Sequence, residues 1–318
     1  MRYNTTAVKC GNMSINKQYN YDSMSQVEKQ SLISQIAQDT LEVSNHYYPE
    51  CKLRDTFYTR HGKRMLDIII SGIALIVSFP INLIIGIVTY FDVGKPIFFV
   101  QKRIGKGGKL FNLLKFRNMH NTTDERGVLL RADYRVTKWG RFVRKTSLDE
   151  LLNFVSIFTG DMSLIGPRPL PVGYKGRFNR YHEQRHAVRP GLDCPLRDPS
   201  KSMTWENRLE NDIWYVQNVS LTTDIKLIFL LVRETLFGKD RAARSSGFSE
   251  GSFIGYFEDG RVMDSMNIPE KYYIKALYDV ADEESISDEA TLKTGGRNND
   301  EDFKDGDANS AFLDKKAV

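Results

Sequence analysis

Residues 67–92 read DIIISGIALIVSFPINLIIGIVTYFD, the one long apolar run in a chain of 318 residues. As a helix rising about 1.5 Å per residue, its uncharged part is long enough to cross a hydrocarbon core of ~30 Å. A soluble helix buries one stripe and wets the rest; this run is apolar all round, which favours lipid over a protein core. Two features bear on how it sits. Pro80 lies near the middle, where it removes a helix hydrogen bond and bends the chain. Both flanks are basic, with Arg60, Lys63 and Arg64 before the run and Lys95, Lys102, Arg103, Lys106 and Lys109 after it. Lys and Arg beside an apolar segment prefer the cytoplasmic side. A straight span satisfies one flank, whereas a re-entrant helix–break–helix that turns back at Pro80 satisfies both. Ser78 or Asn82 is placed to cover backbone groups freed at the break.

Outward from this run, residues 1–59 form a polar N-terminal extension with one amphipathic helical pattern (Val27, Leu32, Ile33, Ile36, Leu41) and no apolar core of a secretory signal. The membrane segment is 60–92. Residues 93–240 alternate short strands, turns and amphipathic helices and carry most of the basic charge. A C-terminal extension follows at 241–280, and the acidic stretch 281–318 reads as a disordered tail. The fold class expected is α/β in the α+β sense, mainly helical with a small β-hairpin, with amphipathic helices lying at the membrane face. With 41% hydrophobic residues there is material for a core, and a net charge of +5 is a mild excess. Cys10, Cys51 and Cys194 lie far apart, which argues against a disulfide framework or a zinc site and fits a reducing compartment. The basic stretch 135–145 has no nucleic-acid recognition motif and no interleaved aromatic platform, so no nucleic-acid partner is expected.

The charged groups gather in four places. Ile97–Gln101 and Leu110–Arg117 read as strands of a hairpin joined by a Gly-rich turn at 105–108, which is not a P-loop. Lys115 and Arg117, two apart, share a strand face and suit either a diphosphate or a solvated edge. Arg135, Lys138, Arg141, Arg144 and Lys145 then precede TSLDELLN (146–153). Ser147 and Glu150 fit a capping box at a helix start, and the cations nearby favour an ionised Asp149. Leu148, Leu151, Leu152, Val155 and Phe158 supply that helix's core face. GPRP (166–169) and AVRPGL (187–192) hold Arg168 and Arg189 in rigid loops. Clamped guanidiniums suit phosphate oxygens, and adjacent carboxylates suit a divalent cation or covalent catalysis. A diphosphate-bearing substrate with an acceptor living in the bilayer would need all of these.

The order Lys63-Arg64-x-x-Asp67, apolar run with central Pro80, LLKFRNM, SLDELLN, GDMSLIGPRPL and RPGL resembles the bacterial sugar transferases, the monotopic polyprenyl-phosphate phosphoglycosyl transferases, over about residues 60–240. With one apolar segment, the chain is similar to the family's short, core-only form. The resemblance implies transfer of a sugar 1-phosphate from a nucleotide-sugar, usually a UDP-sugar, to polyprenyl (undecaprenyl) phosphate at the bacterial inner membrane, on the cytoplasmic side. UMP is released, and the product starts exopolysaccharide, capsule, lipopolysaccharide or other glycoconjugate assembly, with downstream glycosyltransferases as partners. It implies Asp149 as nucleophile, Glu150 as the residue that binds or orients Mg²⁺, and Arg168 and Arg189 as phosphate contacts. It also implies Lys115 and Arg117 on the nucleotide-sugar phosphates, and Lys63, Arg64, Asp67 and Pro80 as the membrane anchor near the lipid phosphate. Two departures stand out: Phe79 where Ser often precedes the proline, and Asp193-Cys194-Pro195 where many members continue R-P-G-x-T-G. An inactive membrane scaffold of a glycan assembly is the competing expectation, separated from the enzyme by activity that disappears in Asp149→Asn.

Overall fold

A computed structural model describes residues 19–48, 54–125, 127, 129–198, 200–237 and 251–279. Ser25 and Glu28 close a capping box, with Glu28 N donating to Ser25 Oγ (3.2 Å) and Ser25 N to Glu28 Oε2 (2.6 Å). The helix they start, α1 (Gln26–Ser44), buries Leu32 and Ile36 fully, on the face the sequence pattern marks. Those two side chains contribute about 3–6 kcal/mol at the usual 1.5–3 kcal/mol per buried aliphatic.

A π-helical turn at Tyr58–Gly62 runs into α2 (Lys63–Val93), whose 31 residues include the whole apolar run. Its burial is inverted. Asp67, Ser71, Ser78 and Thr89 are buried along with Ile85 and Val93, whereas Ile73, Ile76, Val77, Phe79, Ile84 and Phe91 are exposed. A helix folded against water does the reverse. The expected break in helical structure is absent: α2 continues through Pro80 as one element. Proline deletes one N–H while the turns on either side keep theirs. The two polar residues expected to cover the freed backbone bond elsewhere: Ser78 Oγ donates to Leu75 O (3.5 Å), not to the Ile76 carbonyl that Pro80 leaves without a donor, and accepts from Asn82 Nδ2 (3.2 Å).

Next come the antiparallel strands β1 (Phe98–Ile104) and β2 (Leu110–Phe116), in register from Phe98↔Phe116 to Ile104↔Leu110. This is the expected hairpin with its first strand continued past Gln101. Gly107 and Gly108 both take positive φ in the turn, where a Cβ would be strained. Three short helices follow: α3 (Ala132–Arg135), α4 (Lys138–Lys145) and α5 (Asn153–Thr159). Strand β3 (Ser163–Ile165) lies parallel to β4 (Gly191–Asp193), with α6 (Arg180–Glu183) in the connection between them. Helices α7 (Trp205–Asn218) and α8 (Leu221–Phe237) pack on this pair through Ile165, Tyr215, Val219 and Leu227. Along α8, Leu221, Ile225, Phe229 and Val232 are exposed at helical spacing.

The two flanks, which the sequence divides into separate extensions, are joined. Antiparallel strands β5 (Phe253–Tyr256) and β6 (Val262–Asp264) and helix α9 (270–279) close a core with α1 made of Leu32, Ile36, Ile254, Met263, Tyr272 and Ala276. Residues 281–318, expected to be an acidic tail, lie outside the described residues. The described fold is mainly helical with three two-stranded sheets.

GPRP and RPGL meet where β3 and β4 end. Gly191 N donates to Pro167 O (3.1 Å), and a Cβ on Gly166 would lie 2.6 Å from Arg189 O. A Cβ on Gly191 would overlap the Gly166 backbone outright. Gly191→Ala is therefore expected to lower stability by roughly 1–3 kcal/mol, the range for overpacking. Thermal unfolding of the detergent-held protein measures it, and an unchanged melting temperature would contradict the close crossing.

Candidate active site

The dyad sits on a turn, not at the helix start that its sequence resembles. Ser147 takes a left-handed conformation (φ 57°, ψ 24°) and makes no capping bond; residues 148–150 form a 3₁₀ turn, and α5 begins only at Asn153. The capping box is thus replaced by a strained non-glycine residue, at about 1–3 kcal/mol, and Glu150 is free to bond elsewhere. The expected core face is likewise only partly realised. Leu152 is buried, but Val155 and Phe158 are exposed, and Asn153, Ser156 and Ile157 are the residues that α5 buries.

Three elements bring side chains to this turn. β2 supplies Lys115, whose Nζ lies 3.8 Å from Asp149 Oδ2. The GPRP loop supplies Arg168, whose Nη2 donates to Glu150 Oε1 at 2.6 Å. α4 supplies Arg144, held by Asn118 Oδ1 (2.9 Å) and close enough to act electrostatically on Asp149. The Arg168 loop is itself tied to the hairpin, Arg103 Nη1 donating to Pro169 O (2.9 Å) and Ile104 N to Leu170 O (3.0 Å).

Asp149 is 7% exposed, and its Oδ1 has no hydrogen-bond partner on any other residue. Burial pushes its carboxyl above the ordinary aspartate value, and adjacent Glu150 adds to the rise; Lys115 and Arg144 oppose it without cancelling it. The sequence led us to expect the cations to dominate, but desolvation outweighs them. Lys115 is held below the usual lysine range by burial, with Asp149 pulling the other way. Burial also works against the Arg168 charge, yet Glu150 and Asp193 overcome it and raise the value. Arg103, desolvated and facing Arg168, drops to about 10. The result is a partly dry cluster of two carboxylates among several cations, where an incoming phosphate would meet donors already in place.

The other expected site residues lie elsewhere. Arg117 donates to Gly94 O (3.3 Å), Lys95 O (3.1 Å) and Val93 O, and so closes the C-terminal end of α2 without joining Lys115. Arg189 donates through Nε to Gly160 O (2.9 Å), at the end of α5 remote from the dyad. At that same end Arg64 donates to Ile157 O (2.6 Å) and Phe158 O (2.8 Å). Asp67 Oδ1 accepts from Ser163 Oγ and Leu164 N, both at 3.0 Å. Lys63 Nζ pairs with Asp224 (2.6 Å), which also accepts from Tyr58 and Tyr215. These groups border a cavity of about 140 Å³ between α2, β3 and α8. Pro80 lies in the mid-run of α2, away from both clusters. Sequence reasoning gave Arg103 no site role and named Arg144 only as one of five cations expected to keep Asp149 ionised, since a basic run does not say which of its members turns inward. Nor did it single out Arg185, buried against Asp212 with Nη2 also donating to Arg168 O (3.1 Å); nothing local marks that pair.

Among the described residues no cluster of three or more His, Cys, Asp or Glu is present. The carboxylate oxygens of Asp149, one of them without a partner on another residue, and of Glu150, adjacent in sequence, are hard donors of the kind that suits Mg²⁺. That ion commonly takes one or two carboxylates and completes its shell with water and substrate phosphates.

Comparison with known proteins places the chain in a family. The family described as "Bacterial sugar transferase" matches residues 58–238. The chain is 38% identical over 175 residues to an uncharacterized sugar transferase, EpsL, of Bacillus subtilis (strain 168), covering 55% of this chain and 87% of that one. It is 33% identical over 185 residues to the UDP-N-acetylgalactosamine-undecaprenyl-phosphate N-acetylgalactosaminephosphotransferase of Aeromonas hydrophila, covering 55% of this chain and 44% of that protein. It is 35% identical over 190 residues to the UDP-glucose:undecaprenyl-phosphate glucose-1-phosphate transferase of Klebsiella pneumoniae, covering 56% of this chain and 40% of that protein. The matched span runs from the turn before α2 to the end of α8 and contains the dyad, Lys115 and the GPRP loop, so this chain belongs to the bacterial sugar transferase family.

Proposed function

We propose that this chain transfers a sugar 1-phosphate from a UDP-sugar to undecaprenyl phosphate through a covalent intermediate on Asp149. The observation that carries the reading is the buried Asp149 carboxylate, with one oxygen unengaged by any other residue and Lys115 3.8 Å from the other. In the first half-reaction an Asp149 oxygen attacks the β-phosphorus. The bond from that phosphorus to the oxygen bridging the two phosphates breaks, and UMP leaves with the electron pair. In the second, a phosphate oxygen of the lipid attacks the same phosphorus and the Asp149 carboxylate is regenerated. Lys115 supplies positive charge beside the reacting phosphorus in both half-reactions, and Arg168 supplies it where UMP takes up charge in the first. Mg²⁺ bound at Asp149 and Glu150 would neutralise diphosphate charge. Two relatives whose names give a UDP-sugar donor and an undecaprenyl-phosphate acceptor support the substrate classes.

The membrane placement is part of the same proposal. Arg64 bonds the end of α5, while Ile85 shares a cluster with Leu152 just before its start. Pro80 inside α2 and the basic residues on both flanks of the apolar run support a re-entrant segment with both ends on the cytoplasmic side. Exposed apolar residues of α8 and of β1 (Phe98, Phe99, Val100) extend the lipid-facing surface.

UMP release from a panel of UDP-sugars, with Mg²⁺ and undecaprenyl phosphate, tests the reaction. Asp149→Asn is expected to lower it on the order of 10³-fold or more, as loss of a nucleophile does; full activity in that variant would remove the covalent step, and no release from any donor by folded wild type would favour a scaffold. The pH profile tests the electrostatics. The reacting form of Asp149 is the anion, and burial raises its pKa, so the acid limb lies above the ordinary carboxylate range. Lys115 lowers that pKa; Lys115→Gln therefore moves the acid limb to higher pH as well as slowing turnover, and a limb that stays or falls would count against the pairing. For topology, single cysteines at Asp55 and Lys106, in a protein otherwise free of cysteine, are expected to react with an impermeant thiol reagent from the same face of sealed vesicles.

A further inference from the structure

The groups that hold residues 177–182 come largely from outside the span shared with the family. Arg177 Nη1 donates to Phe253 O (2.7 Å), and Phe178 stacks on Phe253 with ring centres 5.1 Å apart. Asn179 N donates to the Tyr256 hydroxyl (3.2 Å), and His182 Nδ1 lies 2.8 Å from the same oxygen, its ring stacked on that of Tyr256. From the N-terminal flank, Asn45 Oδ1 accepts from Arg180 N (2.7 Å) and Tyr48 stacks on Tyr181. Tyr48 OH donates to Gly260 O (3.0 Å), which ties the two flanks together over this segment. The matched span ends at 238 and begins at 58, so these partners are supplied by this chain's own additions.

The segment so gripped leads directly to the site. Arg185 follows His182 by three residues, and its guanidinium lies over Phe178 (5.5 Å). It is 2% exposed, bonds Asp212 through Nε and Nη2, and donates from Nη2 to Arg168 O. Arg168 in turn donates to Glu150. An unbroken series of contacts runs from the Phe253–Tyr256 strand through Phe178 and His182 to Arg185, and from there to the loop that aims Arg168. A guanidinium between two prolines moves as its loop moves, and displacements of an ångström at a reacting centre cost orders of magnitude in rate.

We infer that the module built from α1, β5–β6 and α9 is a positioning element for Arg168, with Tyr256 and Arg185 as positioning residues. This rests on the transfer reaction proposed above, in which Arg168 meets the donor's phosphates. Tyr256 does not touch substrate; it fixes His182 and Asn179, and through them the turn that carries Arg185.

Tyr256→Phe in the full chain keeps the stacked ring and removes the hydroxyl that serves Asn179 and His182. Two readouts are taken on wild type and variant. Hydrogen exchange needs no turnover: faster exchange at the amides of Gly166, Arg168 and Leu170, with the amides of β2 unchanged, is expected, and unchanged exchange at those three overturns the inference. Kinetics then separate positioning from folding. Because donor and acceptor react in separate half-reactions, kcat/KM for the UDP-sugar is expected to fall about tenfold while kcat/KM for undecaprenyl phosphate holds. An equal fall in both would mean only less folded enzyme and would also overturn it. Arg185→Lys, which keeps a cation beside Asp212, is expected to repeat the donor-side loss. Wild type that releases no UMP defeats the proposed reaction, and the exchange result then judges the coupling on its own.

Discussion

Two arginines decide where the apolar helix can lie. Arg64, in the first turn of α2, donates to the last carbonyls of α5; Arg117, just past β2, donates to Val93 O at the end of α2 and to the Gly94 and Lys95 carbonyls that follow it. A helix C-terminus leaves carbonyls without intrahelical partners and concentrates negative potential there. A guanidinium on such carbonyls satisfies the orphans and the dipole together, at about 1.5–3 kcal/mol per charge-assisted bond. One such closure at each end ties α2 to a single body of protein. Its inward stripe of Asp67, Ser71, Ser78, Ile85, Thr89 and Val93 then runs along that body, and its remaining surface is apolar and unpaired. Polar groups inside and aliphatic groups outside is the arrangement that a lipid solvent selects.

The chemistry of the dyad follows from the same scaffold. β2 ends beside α2, so the strand that places Lys115 also seats Phe116 against Ile85 and Leu152. Asp149 is buried because it lies between that strand and the start of α5, and burial raises its pKa despite the cations around it. A carboxylate that is poorly solvated and lacks a partner for one oxygen is a better nucleophile than a fully hydrated one. Glu150, held by Arg168, cannot swing onto Lys115 and neutralise it. The left-handed Ser147 makes this arrangement possible by turning the chain sharply between α4 and the dyad.

Much of this was legible in the residues. The lipid-facing run, the hairpin with its glycine turn and the two proline-locked arginine loops all announce themselves by composition over short windows. What was not legible depends on partners distant in sequence. Strand parity puts Lys115 and Arg117 on one face, but β2 ends at Phe116, and the next residue is captured by the end of α2. Ser147 and Glu150 have capping-box spacing, but Arg168, 18 positions on, competes for Glu150 and wins at 2.6 Å. The four residues of β5 are buried on both faces, so no alternation reveals a strand, and the α1 side chains that cover it lie over 200 positions away.

The seven residues of α5 connect these themes. At one end stand Asp149 and Glu150; at the other stand Arg64 and Arg189, and Asp67 of α2 accepts from Ser163 on β3. A helix of that length rises about 10 Å, so the depth at which α2 is anchored and the height of the carboxylate dyad are set by one rigid spacer. Of the charged residues that resemble a lipid-phosphate anchor, Arg64 holds the spacer at two carbonyls, whereas Lys63 pairs with Asp224 on α8 and Asp67 is buried against β3. Through Arg64 and α5, the apolar helix and the carboxylate dyad keep a constant separation.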